Sequence, residues 1–345
     1  MLRRTLTLAA SAMFLLGSAY AQQEVGAPDP FFAADDVIEV TLTGPLETLL
    51  SERPIEEELP ATFQIGEKTY DVAVRTRGRF RRRPDICEFP PIRLNFNKSE
   101  TKGTEMHGVN KVKIVTHCND ASARYDQTVV KEYVAYRIMN ILSDVSFRAR
   151  LIRLRYVDSE GTQPDRLNHA IVIEHRDRLA KRLDRPIVEE SSVNIGQLDP
   201  EYTNLVSVFH YMIGNTDFSP VKGAEGERCC HNHILFGSDG QRYYSVPYDF
   251  DQAGLVNAPH AGPNPRFNLR NVQERLYRGR CLNNPLLPDT MQHVRDKQEE
   301  ILQLIATVEG VSESTRKVMS TYVKRFYSTL QSDKLVARNL EKKCI

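Results

Sequence analysis

Apolar and polar residues alternate along much of the first half of the chain, as they do in strands that bury one face. Gly66, Glu67 and Lys68 separate two of these stretches and predict a tight turn between paired strands. The alternation predicts strands over 37–42, 61–65, 70–77, 91–96, 112–115, 151–157 and 170–173.

In other stretches the apolar residues recur at intervals of three and four, which is the period of an amphipathic helix. Val130, Val134, Ile138 and Ile141 follow this period and predict a helix from about residue 125 to residue 142. Similar patterns predict helices over 177–183, 200–213, 289–308 and 312–331, and a small hairpin formed by 234–236 and 243–246.

The order of these elements predicts an α+β fold in two lobes rather than the strict strand–helix alternation of a doubly wound sheet. We expect a β-rich lobe over 37–174, mainly antiparallel and holding one helix, and a mainly helical lobe over 175–345. Residues 22–36 contain Gly, Pro and Asp and are predicted to form a loose leader.

The N-terminus has the composition of a secretory signal peptide. Arg3 and Arg4 precede a short apolar run, and Ala19-Tyr20-Ala21 fits a signal-peptidase site, so residues 1–21 are predicted to be removed. No later stretch approaches the roughly 20 apolar residues of a spanning helix. We therefore expect an exported protein, periplasmic or extracellular, without a membrane span; a retained N-terminal anchor is the alternative.

The charge balance argues against nucleic acid as a main partner, since phosphate-backbone binding needs concentrated positive charge. The chain has 46 basic and 45 acidic residues, and loss of Arg3 and Arg4 with the signal peptide would leave a net charge of −1. The arginine-rich stretch 75–83 is a local exception, either a solvated turn or a site for phosphates or an acidic substrate.

Six cysteines in an exported chain favour disulfides, although six residues allow fifteen pairings and the spacing does not choose among them. A zinc site is the rival hypothesis. Cys229 and Cys230 are adjacent rather than spaced as zinc ligands, and the four histidines near the candidate segments fit no zinc motif. We therefore interpret these histidines, His210, His231, His233 and His260, as structural or loop residues.

Oxygen-bearing side chains occur where apolar elements end. Asp217 follows a predicted helix and Gly214, Asn232 opens one strand of the small hairpin, and Asp249 and Asp251 follow its other strand. Several convergent oxygen ligands are what a hard divalent cation carrying a polyphosphate requires. If these segments meet in space, the sequence predicts a nucleotide-and-metal site.

The sequence also contains basic residues that could bind phosphate near these oxygen ligands. Gly78, flanked by Arg77 and Arg79, lies in a turn after a strand, where backbone amides and guanidinium groups can approach phosphates. Lys113 lies inside an apolar strand and needs a partner, for which Glu132 on the following helix is the candidate.

Several segments resemble the spore-coat-protein-H (CotH) family of atypical secretory kinases. They are Arg75-Thr76-Arg77-Gly78, Ile171-Val172-Ile173-Glu174, Gly214-Asn215-Thr216-Asp217, His231-Asn232 and Tyr248-Asp249-Phe250-Asp251. The resemblance covers about residues 60–255 and implies a two-lobed protein-kinase-like fold. The sequence departs from the family pattern in its arginine-bearing glycine loop and in the long interval between Asp217 and Asn232.

The resemblance also implies roles for individual residues. Asp217 would be the catalytic carboxylate, with Asn232 and Asp249 as ligands of Mg²⁺ or Mn²⁺ and Asp251 as a possible second metal ligand. The implied ATP contacts are Arg77 and Gly78 in the loop, Lys113 at the phosphates, Glu132 as its brace and Glu174 at the adenine.

The function these features predict is transfer of phosphate from ATP to a protein or cell-envelope substrate. Transfer of AMP in a similar cleft is one alternative, and an inactive binding or structural module of the envelope is the other. The substrate, the oligomeric state and the metal preference stay open at this point.

Overall fold

The computed structural model describes residues 25–345. The predicted signal peptide, residues 1–21, lies outside the described residues. Within the predicted leader, residues 30–33 form a short helix whose Phe31 and Phe32 are buried.

Seven strands close into a barrel with the order β1-β2-β3-β4-β5-β7-β6. All neighbouring pairs are antiparallel except β1 and β6, which run parallel and close the sheet with Ile38 opposite Ile152. The strands are β1 (Ile38–Gly44), β2 (Leu59–Ile65), β3 (Lys68–Thr76), β4 (Ile92–Phe96), β5 (Lys111–Val115), β6 (Ala149–Asp158) and β7 (Arg166–Ile173). The turn predicted over residues 66–68 is confirmed at Gly66 and Glu67, which join β2 to β3, whereas Lys68 already belongs to β3.

The barrel interior is a packed apolar core, as small barrels require. Alternate residues of the strands are buried in it, among them Leu42, Leu94, Ile114 and Leu154. The alternation seen in the sequence therefore separates the barrel interior from its outer surface.

Ten α-helices are found in the described residues. They are α1 (Pro30–Ala33), α2 (Leu46–Ser51), α3 (Lys98–Thr101), α4 (Ala123–Leu142), α5 (Arg176–Leu183), α6 (Pro200–Ile213), α7 (Leu287–Asp296), α8 (Gln298–Thr307), α9 (Glu313–Leu330) and α10 (Asp333–Asn339). The helices predicted over 125–142 and 200–213 are confirmed almost to the residue, whereas the one predicted over 289–308 is divided between α7 and α8. No helix of residues 25–345 combines the length and the apolarity that crossing a membrane would need.

A second core surrounds α4, which is buried on most sides rather than on one face. Val130, Val134 and Ile138 pack there with residues of β6 and β7, α6 and the C-terminal helices. Because the adjacent residues Lys131, Glu132 and Tyr133 are also buried, polar groups of α4 are enclosed between the barrel and the helices.

The predicted two-lobed protein-kinase-like arrangement is wrong, although the α+β content is as expected. The structure has a closed mixed barrel plus helices, and α4 shares its core with the helices that follow residue 175. Alternation reports only which residues of a strand are buried, and it is the same in an open and a closed sheet. The parallel pairing of β1 with β6, which joins distant parts of the chain, closes the barrel.

The remaining strands, β8 (His233–Phe236) and β9 (Tyr244–Pro247), form the predicted hairpin. The cysteines form three disulfides, Cys87–Cys118, Cys229–Cys230 and Cys281–Cys344. The expectation of disulfides is thus confirmed, with the pairing now assigned.

Candidate functional site

One cavity of about 660 Å³ collects most of the candidate residues. Six of the nine residues predicted to form the site line it: Arg77, Gly78, Asp217, Asn232, Asp249 and Asp251. The other three, Lys113, Glu132 and Glu174, do not line the cavity. Further lining residues come from the loop after β3 and from the irregular segment 260–278.

The end of α6 fixes the backbone that carries Asp217. Gly214 ends the helix in the left-handed conformation (φ 68°), and a Cβ there would lie 2.0 Å from the Tyr322 hydroxyl, so only glycine fits. The Asp217 N–H donates to Asn215 Oδ1 at 2.9 Å. Arg278 donates to the carbonyl oxygens of Thr216 (3.0 Å) and Phe218 (2.6 Å).

The Asp217 carboxylate is held by two side chains from the loop before β8. His231 Nε2 lies 2.9 Å from Asp217 Oδ1, and Asn232 Nδ2 donates to Asp217 Oδ2 at 3.1 Å and to the Asp217 carbonyl at 2.8 Å. The hydrogen bond to Asp217 raises the pKa of His231. The side chain of Asp217 keeps 34% of its surface exposed and so stays accessible from the cavity.

The β8–β9 hairpin brings Asn232 and Asp249 together. His233 pairs with Pro247, and the Tyr248 N–H donates to the Asn232 carbonyl at 3.0 Å, so the two residues flank the open end of the hairpin. Both have left-handed backbones, with φ 55° at Asn232 and 65° at Asp249. Such conformations are uncommon outside glycine and cluster at functional sites.

Asp249 and Asp251 differ in their surroundings. Desolvation and the neighbouring Asp251 charge raise the pKa of Asp249, whose backbone N–H donates to the Tyr136 hydroxyl at 2.9 Å. Burial raises the pKa of Asp251, but Arg81 and His260 outweigh it and lower that pKa to about 2. Arg81 Nε lies 3.2 Å and His260 Nε2 3.0 Å from Asp251 Oδ2.

Glu132, on α4, is only 1% exposed and does not line the cavity. Burial, together with the neighbouring Asp251 and Asp249, raises the pKa of its carboxyl group to about 8, although Arg81 acts to lower it. Neither carboxylate oxygen reaches a hydrogen-bond partner in the described part of the chain.

Lys113 lies on β5 outside the cavity, with its Nζ 4.3 Å from the centre of the Tyr248 ring. Burial and the nearby Arg77 lower its pKa to about 7, although Asp249 acts to raise it. Residues 25–345 contain no ion pair between Lys113 and Glu132.

Glu174 lies away from the cavity and is 2% exposed. Its two oxygens accept hydrogen bonds from Arg182, at 3.0 Å from Nε and 2.9 Å from Nη2. The backbone N–H of Arg148 donates to the same carboxylate at 3.0 Å.

Several polar residues to which the sequence assigned no individual role in the site also line the cavity. Among them are Arg81, His231, His260 and Arg278. Arg81 was one arginine among several in a basic stretch, and the two histidines were interpreted as structural or loop residues. Only their contacts with Asp217, Asp249 and Asp251 reveal their place in the site.

The donor set suits a hard divalent cation. Asn232 offers an amide oxygen and Asp249 a carboxylate that is 32% exposed. Asp251 is a weaker candidate, because Arg81 and His260 share its Oδ2. The carboxylates of Asp249 and Asp251 share one buried guanidinium, that of Arg81, whose nitrogens lie 3.9 Å from Asp249 Oδ1 and 3.2 Å from Asp251 Oδ2.

No protein-family model matches the chain, and no curated protein matches it significantly. Among solved structures, the chain is similar to the Helicobacter pylori proinflammatory kinase CtkA, with a TM-score of 0.39 and 12% identity. The similarity covers 70% of this chain and 92% of the CtkA chain. At this TM-score it establishes neither a shared fold nor a shared activity, and membership of the CotH family stays a prediction.

Proposed function

We propose that the protein is an exported phosphotransferase that binds ATP with Mg²⁺ or Mn²⁺ and transfers phosphate to a protein or cell-envelope substrate. One observation carries the proposal. Asp217, Asn232, Asp249 and Asp251 come from three separate segments and line one cavity together with several arginines. Phosphoryl transfer needs this combination of metal ligands, phosphate-binding cations and one carboxylate near the acceptor.

Each residue has a chemical task under this proposal. Asn232 and Asp249 hold the metal ion, which when bound neutralises charge on the phosphate oxygens. Asp217 orients the acceptor hydroxyl and accepts its proton. Arg77 binds phosphate. Gly78 has no Cβ and a φ of 80°, so the loop backbone can come close to the phosphates. The adenine contact of Glu174 stays a prediction, as does the phosphate contact of Lys113.

Nucleotide binding provides the first test. We expect the wild-type protein to bind a non-hydrolysable ATP analogue in calorimetry only when Mg²⁺ or Mn²⁺ is present. Asp249→Asn removes a charged ligand and should weaken metal-dependent binding at least about tenfold, as loss of a partner of a bound cation does. Asp239→Asn, in the exposed turn of the same hairpin, is the matched control and should bind normally.

Turnover provides the second test. Asp217→Asn should retain analogue binding but lower the rate of ADP formation from ATP by about a hundredfold or more, because the acceptor proton loses its base. Release of pyrophosphate in place of ADP would instead indicate transfer of AMP. A wild-type protein that binds no nucleotide with either metal would contradict the proposal and favour a binding module.

A further inference from the structure

The segment 260–280 carries an excess of basic residues that the proposed metal and phosphate contacts do not use. It contains five arginines and one acidic residue, Glu274, which pairs with Arg270. Arg266 and Arg278 line the cavity, and neither forms an ion pair within residues 25–345. These two guanidinium groups therefore bring uncompensated positive charge to the cavity wall.

Arg278 lies directly beside the backbone that carries Asp217. Its Nη1 donates to the carbonyl oxygens of Thr216 (3.0 Å) and Phe218 (2.6 Å), while its Nη2 makes no hydrogen bond in the part of the chain that the structure describes. The ring centres of Phe218 and Phe267 lie 4.5 Å and 4.8 Å from the guanidinium carbon. These contacts hold the guanidinium in one orientation and leave one of its nitrogens for a ligand.

Arg266 reaches the same side of the cavity from a loop that is bonded to this backbone. Its N–H donates to Asn264 Oδ1 at 3.0 Å, and Asn264 Nδ2 donates to the Thr216 carbonyl oxygen at 3.0 Å. The hydrogen bond to Asp217 raises the pKa of His231, and the charge of Arg266 opposes that rise. Arg266 therefore acts on the same part of the site as Arg278.

The charge at this part of the wall favours a bound anion. Burial and the neighbouring Arg280 and Arg266 lower the pKa of Arg278 to about 10, although Asp217 acts to raise it. The Asp217 oxygens do not neutralise this charge by pairing, because they are bonded to side chains from the loop before β8. A partly buried cation without a counter-ion is stabilised when a ligand supplies one.

The position favours the acceptor over the nucleotide as the source of that anion. Arg81 is the arginine beside the proposed metal ligands, with its Nη2 3.9 Å from Asp249 Oδ1. Arg266 and Arg278 are instead associated with Asp217, the residue proposed to orient the acceptor hydroxyl.

The cavity also has an apolar surface, which favours a polypeptide acceptor. Phe80, 45% exposed, lines the cavity together with Pro263, Pro265 and Phe267. A peptide presents carboxylates and apolar side chains on one chain, whereas a polyphosphate or a sugar-phosphate polymer offers no apolar side chain.

We propose that Arg266 and Arg278 form an acceptor subsite, which binds a carboxylate next to the hydroxyl that receives the phosphate. The substrate class is then an acidic segment of a protein, with the acceptor hydroxyl among Asp and Glu side chains. This inference rests on the proposed function and names the substrate class of the same site. Charge-assisted hydrogen bonds from guanidinium groups to carboxylates are strong, and clusters of arginines recognise acidic motifs.

Peptide binding tests the inference without requiring turnover. The probes are three fluorescent peptides of equal length, each with one central serine flanked by glutamates, glutamines or lysines. The measured quantity is the dissociation constant from the full chain in fluorescence anisotropy. We expect the glutamate peptide to bind about tenfold or more tightly than the glutamine peptide, and the difference to shrink as salt screens the charges.

Arg266→Gln and Arg278→Gln should each weaken binding of the glutamate peptide about fivefold or more. Both variants should bind a non-hydrolysable ATP analogue with Mg²⁺ as the wild type does, which also shows that they are folded. Arg270→Gln is the matched control, because Arg270 lies on the same segment, is 86% exposed and does not line the cavity. It should bind the glutamate peptide normally.

Equal affinity of the glutamate and glutamine peptides, or normal peptide binding by both cavity variants, would overturn the inference. An equal loss of ATP-analogue binding would assign the two arginines to the nucleotide and would also overturn it. Polyphosphate with the same number of charges is a further probe, and its tighter binding would refute a peptide acceptor in favour of a phosphate-bearing polymer.

The outcomes also separate this inference from the proposed function. A wild-type protein that binds the ATP analogue but does not prefer the glutamate peptide would refute the inference and leave the phosphotransferase proposal standing. A wild-type protein that prefers the glutamate peptide but binds no nucleotide would refute the proposed function, and with it the role of the two arginines as an acceptor subsite.

Discussion

Glu174 and Asp249 are both carboxylates predicted for the nucleotide site, but their surroundings differ. Glu174 is nearly inaccessible and its oxygens accept hydrogen bonds from Arg182 and the Arg148 backbone. Asp249 keeps a third of its side chain exposed to the cavity. Asp249 can therefore reach a ligand directly, whereas the contacts of Glu174 form a buried structural ion pair.

The buried pair gives a prediction about stability. Glu174→Gln leaves the Arg182 guanidinium, 3% exposed, without a charge partner. Removing one member of a buried pair costs about 3 kcal/mol, because the other charge stays desolvated. We expect urea unfolding to show this loss in the free energy of unfolding. Glu67→Gln, in the exposed turn after β2, should change it by less than about 0.5 kcal/mol.

At the scale of elements, Asp158 connects the end of β6 to the start of α2. Its carboxylate accepts hydrogen bonds from the backbone N–H groups of Leu46 (2.9 Å), Thr162 (2.8 Å) and Gln163 (3.0 Å). Desolvation raises the pKa of Asp158, but these donors outweigh it and hold the pKa well below its ordinary value. The ionised form is therefore the one that holds the two elements together.

This contact predicts a pH dependence. A carboxylate whose pKa is lowered by folding stabilises the protein above its ordinary pKa of about 4, and the contribution disappears as the pH falls through the folded-state value. Asp158→Asn should cost about 1 kcal/mol at pH 7, a modest amount because solvent screens this position. Thermal unfolding should show the difference from wild type shrinking below about pH 4. Asp165→Asn, exposed in the same β6–β7 connection, should show no such trend.

Elements with strong local signals could be predicted from the sequence. The β2–β3 turn follows from Gly66, and the end of α6 follows from Gly214, because glycine adopts the left-handed backbone conformation that both positions require. Asn232 and Asp249 were found for a related reason, since they lie at the ends of short strands in a hairpin. Arg81 was not singled out, because several arginines in one stretch give no local sign of which one is buried.

At the scale of the whole molecule, the Cys281–Cys344 disulfide ties the chain terminus to the segment before α7, across a separation of 63 residues. A cross-link over that length restricts the unfolded chain strongly, by about 4 kcal/mol in the chain-entropy estimate. Cys229 and Cys230 are adjacent, so their disulfide restricts the unfolded chain very little.

The two disulfides give a paired prediction. Replacing both Cys281 and Cys344 by serine should lower the free energy of unfolding by about 4 kcal/mol in guanidinium titrations. Replacing both Cys229 and Cys230 by serine should lower the free energy of unfolding much less, because a link between adjacent residues hardly restricts the unfolded chain. If the two double variants lost the same free energy of unfolding, the length of the closed loop could not be the origin of the stabilisation.

The sequence by itself determined the α+β content, the main strands and helices, and the polar residues that end them, because periodicity and turn chemistry are local properties. Tertiary structure decided that the sheet closes through a parallel β1–β6 pair, that Arg81 is buried beside Asp251, and that Glu174 pairs with Arg182. These outcomes depend on which segments, far apart in the sequence, pack against each other and so exclude water. Once water is excluded, each buried charge is stable only beside the partner that packing places next to it.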